Sequence, residues 1–191
     1  MPGIPDITRR HLDKIGAFYD AAPVEPNRAA RGYRRLLAHY YNLLIPADAS
    51  VLEIGCGSGE LLARIHAARK VGVDLSATQI AAARARVPEG MVSMPLARLL
   101  READIVTLHA RLTPETAGMI DPWAMRPGSV LVNTARGDIV REAALIDALR
   151  AGYLAGAALD TYALEPLPAD SPLRTLENVV LSPHVSAQTR E

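Results

Sequence analysis

The sequence predicts an α/β domain built on one mainly parallel sheet with helices on both faces. From residue 51 onward, short β-rich apolar runs alternate with stretches of helical length. This alternation is typical of parallel strands joined by crossover helices. The chain has 191 residues, which is enough for one domain with a substantial core. We therefore expect residues 1–191 to form a single domain.

Two helices are predicted to lead into the sheet. Apolar residues recur at helical spacing from Leu12 to Tyr19 and again from Tyr33 to Leu44, just before Pro46. A later helix is predicted from Glu142 to Arg150, ending at Gly152. Seven strands are predicted: Val51–Ile54, Val71–Val73, Met91–Ser93, Ile105–Leu108, Val130–Val132, Ala157–Leu159 and Val179–Leu181.

The charge balance and the composition exclude several kinds of partner. Lys and Arg number 21, as do Asp and Glu, so no basic field is expected to attract nucleic acid or anionic lipid. The single cysteine, Cys56, cannot form an internal disulfide, and charged residues stand where a signal peptide needs an apolar stretch. We expect a cytoplasmic protein with a small-molecule cofactor, no membrane span and no metal site. The oligomeric state stays open.

The segment VLEIGCGSGELL, which begins at Val51, predicts a strand, a glycine-rich turn and then a helix. Gly55 permits the tight turn, Gly57 lets a ligand approach the backbone, and the exposed N–H groups at the start of the helix favour negative or polar ligand groups. Asp74 ends the next strand, at a separation where a carboxylate can reach the ribose hydroxyls of an adenosine. This order predicts a Rossmann-like, doubly wound domain that binds an adenosine-containing cofactor. The alternative is a purely structural turn in which Asp74 caps a helix.

Residues 1–88 resemble a class I methyltransferase that depends on S-adenosylmethionine. The resemblance rests on VLEIGCGSGELL and on VGVDLSATQIAAARAR, which begins at Val71. As in that family, the third glycine comes two positions after the second. The resemblance implies that Glu53 and the three glycines bind the amino-acid end of S-adenosylmethionine, with Asp74 on its ribose.

Residues 91–191 resemble a different family, the coenzyme domain of the D-isomer-specific 2-hydroxyacid dehydrogenases. Three long segments carry this resemblance: READIVTLHARLTPETAGMI from Arg101, MRPGSVLVNTARGDIVREAALIDALRAGYLAGAALD from Met125, and NVVLSPHVSAQTRE from Asn178.

The second resemblance implies three catalytic residues. Arg136 would hold and polarise a 2-oxo acid with its planar fork of donors. His184 would donate a proton to the ketone oxygen as hydride arrives from a nicotinamide. Glu165 would pair with this histidine and favour its protonated form.

The same resemblance implies residues that bind the cofactor. Asp160 would form a hydrogen bond with the nicotinamide carboxamide, and Thr134 and Ala135 would line the cofactor beside Arg136. By contrast, Glu60 stands where a dinucleotide fingerprint has its third glycine. We expect its carboxylate to repel a pyrophosphate.

These observations predict a mosaic of two families with a seam between residues 86 and 94. The leading hypothesis is an NAD(P)-dependent 2-hydroxyacid dehydrogenase-like domain, and whether the chain is an active enzyme stays open. Turnover should be weak, because no segment resembles the family's substrate domain. One alternative is a methyltransferase-like protein that binds S-adenosylmethionine. Another is a non-catalytic, chimeric nucleotide-binding scaffold.

Overall fold

A computed structural model shows one parallel sheet in the part of the chain that it describes. The described residues are 17, 20–21, 28–74, 76–87 and 96–185, with side chains from residue 31 onward in the first long helix. Among them, six strands lie side by side in the order Arg69–Val73, Ser50–Ile54, Ile105–Leu108, Val130–Asn133, Gly156–Leu159 and Val179–Leu181, and every neighbouring pair is parallel. The fold is a Rossmann-like α/β fold, as the alternation of strands and helices predicts.

The secondary structure of the described residues consists of the six strands, the α-helices that pack around them and short 3₁₀ turns. The strands are β1 (Ser50–Ile54), β2 (Arg69–Val73), β3 (Ile105–Leu108), β4 (Val130–Asn133), β5 (Gly156–Leu159) and β6 (Val179–Leu181). The α-helices are α1 (Arg28–Leu44), α2 (Ala77–Arg86), α3 (Leu96–Glu102) and α4 (Glu142–Arg150). Single 3₁₀ turns occupy Leu62–Arg64, Pro122–Ala124, Gly137–Ile139 and Pro172–Thr175.

The predicted strands outside the region of the seam are confirmed, with boundaries that differ by two residues at most. The second leading helix is confirmed as α1, and the helix from Glu142 to Arg150 is confirmed as α4. The first leading helix lies largely outside the described residues, and the predicted strand Met91–Ser93 lies entirely outside them.

The predicted helix after the glycine turn is wrong, because only the 3₁₀ turn Leu62–Arg64 forms there. Residues 60–68 must return along the full length of a five-residue strand before β2 begins. Such a strand is about 17 Å long, whereas these residues as an α-helix would span only about 13 Å. A more extended path is therefore required.

Helix α1 covers the sheet face that this missing helix would otherwise protect. Its Ala38 packs with Val51 of β1 and with Leu61 and Ile65 of the crossover. The side chains of Leu52 and Ile54 belong to the larger core, which is almost entirely aliphatic. The leading helix thus brings its own side chains close to the glycine turn.

Within the described residues, no helix combines the length and the apolar character that crossing a membrane requires. In the same ranges, no group of three or more His, Cys, Asp or Glu side chains is arranged to hold a metal ion.

Candidate functional site

The glycine turn leaves β1 at the point where the chain's path through the sheet changes direction. β1 lies between β2 and β3, so the chain continues from β1 to a strand on one side of it and reaches its other neighbour only later in the sequence. Gly55 has φ +84°, and a Cβ added to it would lie 2.6 Å from the carbonyl carbon of His109, just after β3. Only glycine fits there, so the turn lies directly against the β3 loop.

At Gly57 the backbone stays open to a ligand. A Cβ added to this residue would meet only the amide oxygen of Gln79, at 3.9 Å. By contrast, a Cβ on Gly59 would lie 3.0 Å from the Cβ of Ala83 in α2, so this glycine permits close packing with the helix. Two of the three predicted glycines thus permit contacts within the protein, and Gly57 alone of the three faces open space.

Asp74 organises the turn through both carboxylate oxygens. Oδ2 accepts a hydrogen bond from the backbone N–H of Gly57 at 2.8 Å, and Oδ1 accepts one from the N–H of Ser76 at 2.9 Å. Ser76 in turn caps α2 by accepting from the N–H of Gln79. The carboxylate that is predicted to bind a ribose therefore lies at the turn, already held by two donors.

Glu53 lies beneath the turn rather than in the opening. Its side chain projects from β1 toward α1, it is 3% exposed, and its Oε2 has no hydrogen-bond partner. Burial raises the pKa of Glu53 to about 8, opposed by the positive charge of Arg34 and reinforced by Asp74. At neutral pH this carboxyl group is largely protonated.

Glu60 does not face the opening as an unpaired carboxylate. Its Oε2 lies 3.0 Å from Nη1 of Arg34 in α1, and its Oε1 lies 3.7 Å from Nη2 of Arg64. The Glu60 side chain is 9% exposed, whereas both arginines are 38% exposed. Two arginines therefore offset part of the repulsion that the Glu60 carboxylate is expected to exert on a pyrophosphate.

A polar chain that the sequence analysis did not predict lies next to Glu53. Nε2 of His109 and Oγ1 of Thr107 share a hydrogen bond of 3.0 Å, and the Tyr41 hydroxyl lies 3.4 Å from the same Oγ1. Burial and the nearby charge of Arg34 lower the pKa of His109 to about 4, so this imidazole is neutral. No local motif marks this chain of contacts, since the packing of α1 brings Tyr41 to Thr107 and His109.

Beyond β4, a short loop presents Arg136 at the same edge of the sheet. The side chain of Asn133 fixes this loop, accepting from the N–H of Ala135 at 3.1 Å and donating to the carbonyl of Arg136 at 3.0 Å. A Cβ on Gly137 would lie 1.9 Å from the carbonyl carbon of Tyr162. The glycine therefore lets the β4 loop contact the β5 loop.

His184 and Glu165 form a direct pair. Nδ1 of His184 lies 2.7 Å from Oε2 of Glu165, and Oε1 of Glu165 accepts from the N–H of Tyr162 at 3.1 Å. The hydrogen bond from His184 is the largest cause that lowers the pKa of Glu165, and Arg136 contributes through space. Both side chains are more than one-third exposed, so they are accessible to a ligand.

Asp160 holds the loop that carries the histidine. Its Oδ1 accepts from Oγ of Ser182 at 2.5 Å and from the N–H of Val185 at 2.9 Å. Asp160 is 2% exposed, and the intervening His184 has φ +55°, an uncommon value for a residue with a side chain. The contacts of Asp160 thus hold the side chain of Ser182 before His184 and the backbone of Val185 after it.

The structure therefore brings the predicted site residues into two groups at one edge of the sheet. The first group lies at the carboxyl ends of β1 and β2, with Glu53 still inside β1: Glu53, Gly55, Gly57, Gly59 and Asp74. The second lies after β4, β5 and β6: Thr134, Ala135, Arg136, Asp160, Glu165 and His184. Ligands of open α/β sheets bind at this edge, outside the carboxyl ends of the strands.

These two groups fit different parts of a dinucleotide. The open backbone at Gly57 and the carboxylate of Asp74 suit a ribose at one end, and the exposed pair of His184 and Glu165 suits a reacting ring at the other. The turn itself fits the pyrophosphate of a dinucleotide less well, because the N–H groups of Gly55 and Cys56 already donate to the carbonyl of Val73.

The model of one protein family matches residues 45–186, and its description is D-isomer specific 2-hydroxyacid dehydrogenase, NAD binding domain. The chain belongs to this family. The match begins before β1, so it includes the glycine turn and Asp74, and it continues across residues 86–94. Membership in the dehydrogenase family therefore extends beyond residues 91–191, where the sequence analysis placed it.

Individual relatives agree with the family. A glyoxylate reductase from Korarchaeum cryptofilum is 47% identical over 105 residues, which are 53% of this chain and 32% of that protein. A D-3-phosphoglycerate dehydrogenase from Mycobacterium leprae is 43% identical over 142 residues, which are 72% of this chain and 26% of that protein. The chain thus matches only about a third or a quarter of the length of these relatives.

A solved structure supports the same fold. A D-lactate dehydrogenase from a Sporolactobacillus species aligns with a TM-score of 0.64 and 26% identity, covering 83% of this chain and 60% of that one.

Proposed function

We propose that the chain is the cofactor-binding part of an NAD(P)-dependent 2-hydroxyacid dehydrogenase, acting on a 2-oxo or 2-hydroxy acid. The single observation that carries this proposal is the pair of His184 and Glu165, 2.7 Å apart, beside Arg136 at the cofactor edge of the sheet. An imidazole paired with a carboxylate is suited to exchange a proton with a substrate oxygen. A bound nicotinamide would supply or accept the hydride.

Each residue of the second group has a role in this proposal. His184 would give its proton to the substrate oxygen, while Glu165 fixes the ring and stabilises its charge. Arg136, which is exposed at the loop after β4, would bind the substrate carboxylate with its guanidinium. Asp160 would hold the histidine loop, and the carboxamide contact that the resemblance implies for it belongs to the same proposal.

The first group would bind the adenosine half of the cofactor, with Asp74 on the ribose. A charge-assisted hydrogen bond contributes roughly 1.5 to 3 kcal/mol. Asp74→Ala should therefore weaken NADH binding at least about tenfold, since 1.4 kcal/mol is a factor of ten. Calorimetric titration of the 191-residue chain with NADH measures this effect. Unchanged affinity in a folded variant would refute the ribose assignment.

Binding of S-adenosylmethionine is the competing proposal for the first group. Its support is the spacing of the three glycines and the buried Glu53, whose Oε2 has no partner. The mosaic hypothesis depends on the same motif. A parallel titration with S-adenosylmethionine separates the two proposals: tighter binding of this ligand than of NADH would favour the methyltransferase-like alternative.

Turnover separates an enzyme from a nucleotide-binding scaffold. The assay follows NADH oxidation with glyoxylate, pyruvate, hydroxypyruvate and phosphohydroxypyruvate, with His184→Ala as the control. The dehydrogenase proposal expects oxidation that depends on the 2-oxo acid and is lost in the variant. Binding of NADH without such oxidation would favour the scaffold. The weak turnover expected from the sequence stays a prediction that this assay measures.

A further inference from the structure

The glycine turn offers few donors for a negatively charged ligand in this structure. The backbone N–H groups of Gly55 and Cys56 donate to Val73, that of Gly57 donates to Asp74, and that of Gly59 donates to Cys56. A helix dipole that would attract an anion is missing too, since only the 3₁₀ turn Leu62–Arg64 follows. A dinucleotide pyrophosphate at this turn therefore needs a cation from elsewhere.

Arg34 of α1 is placed to supply that cation. Its Nη1 lies 3.0 Å from Glu60 at the end of the turn, and its side chain is 38% exposed. The charge of Arg34 also acts on two groups at the ends of β1 and β3: it opposes the rise that burial causes in the pKa of Glu53, and it adds to the fall that burial causes in the pKa of His109. The guanidinium thus lies near the ends of both strands. The strand order reverses at this point, and ligands of such sheets bind there.

The pairing of Glu60 allows Arg34 to change partners. Oε1 of Glu60 lies 3.7 Å from Nη2 of Arg64, in addition to the contact between Oε2 and Arg34. If Arg34 moved to a phosphate, Glu60 would keep one positive neighbour. This second partner matters because Glu60 is only 8% exposed and a buried carboxylate without a cation would be unfavourable.

We propose that Arg34 binds the pyrophosphate of the cofactor and exchanges Glu60 for it when the dinucleotide binds. This inference rests on the proposed function, since it concerns the same cofactor. Glu60 then competes with the pyrophosphate for Arg34, and Arg64 stabilises Glu60 in the bound state. The leading helix is therefore part of the cofactor site as well as a cover for the sheet.

The test compares NADH with adenosine, which has the ribose but no phosphate, by calorimetry or by competition. Arg34→Gln should weaken NADH binding about tenfold or more and leave adenosine binding unchanged within about twofold. Glu60→Gln should strengthen NADH binding, because it removes the competitor. Arg35→Gln, a neighbouring exposed arginine on the same helix, is the matched control and should change neither affinity.

The outcomes separate this inference from a structural ion pair and from the proposed function. If the pair only holds α1 in place, Arg34→Gln and Glu60→Gln should weaken both ligands alike, and that result would overturn the inference. Unchanged NADH binding in Arg34→Gln would also overturn it. If Arg34→Gln does not fold, Glu60→Gln decides, and weaker NADH binding counts against the exchange. Failure of the unmodified chain to bind NADH would instead reject the proposed function and this inference with it.

Discussion

Glu165 and His184 are nineteen residues apart in sequence and lie in different loops, yet their side chains share one hydrogen bond. Other contacts hold each partner in place: the Tyr162 N–H donates to Glu165, and Asp160 binds the backbone of Val185 beyond the histidine. This arrangement places an accessible imidazole in one orientation, because the carboxylate contacts its Nδ1 and leaves the opposite ring nitrogen outside that contact.

The first prediction concerns the titration of Glu165. His184→Ala should raise the pKa of Glu165 toward its ordinary value, because the hydrogen bond from His184 is the largest cause that lowers it. The measurement is a pH titration of the ¹³C carboxyl signals of labelled glutamate. Arg136→Ala is the control and should cause a smaller rise, since Arg136 acts only through space. An unchanged midpoint in His184→Ala would contradict the pairing.

The second prediction concerns the buried Glu53. Its pKa in the folded chain is about 8, above the ordinary value of 4.5, so the folded state keeps a proton that the unfolded state releases. Stability is therefore lost progressively as pH rises from about 4.5 to about 8. Glu53→Gln has no proton to lose at this position. As the pH rises from 6.5 to 8, its free energy of unfolding should therefore increase by about 1–2 kcal/mol relative to that of the unmodified chain.

Chemical denaturation of both proteins at several pH values measures this difference, and subtraction cancels the groups that they share. A difference in the free energy of unfolding that stays constant between pH 6.5 and 8 would show that Glu53 ionises normally in the fold.

At the residue level, the sequence predicts side chains that occur within long motifs but not their supporting contacts. Arg136, Glu165 and His184 are recognisable because family segments surround them. Their roles stay proposals that the assays above test. The role of Ser182 depends on its contact with Asp160, which lies in another loop, so no local pattern reveals it.

The elements between the strands determine how closely these loops approach one another. The β4 and β5 loops touch at Gly137, where a Cβ would lie 1.9 Å from Tyr162. The β1 crossover is too short for an α-helix, so α1 protects that face. The segment VLEIGCGSGELL predicts a helix after the glycine turn, but it cannot show the distance that the chain must cover to begin β2.

The third prediction compares two glycines in different elements. Gly137→Ala should destabilise the fold by about 1–3 kcal/mol, the typical cost of inserting a methyl group into a packed site. Gly32→Ala, in α1, should stabilise it by about 0.5–1 kcal/mol, because no atom lies within 4 Å of the added Cβ and alanine favours a helix. Thermal or urea unfolding of both variants measures whether each substitution raises or lowers the stability of the fold. Equal effects would show that the contact at Tyr162 has no influence on stability.

Across the whole molecule, one sheet carries both groups of site residues. β3 and β4 separate β1 from β5, which corresponds to about 14 Å across the strands. The parallel sheet could be predicted because strands alternate with helices along the chain. The region of the predicted seam lies outside the described residues in part, and the single domain of residues 1–191 stays a prediction.

The central claim is that one dinucleotide bridges the two groups, with its adenosine near Asp74 and its nicotinamide near His184. Hydrogen–deuterium exchange of the chain, with and without saturating NADH or adenosine, tests this most directly. NADH should slow exchange both in the segment from Gly55 to Ser76 and in the segments around Glu165 and His184, whereas adenosine should protect only the first. Protection of one end alone by NADH, or identical patterns with both ligands, would contradict the claim.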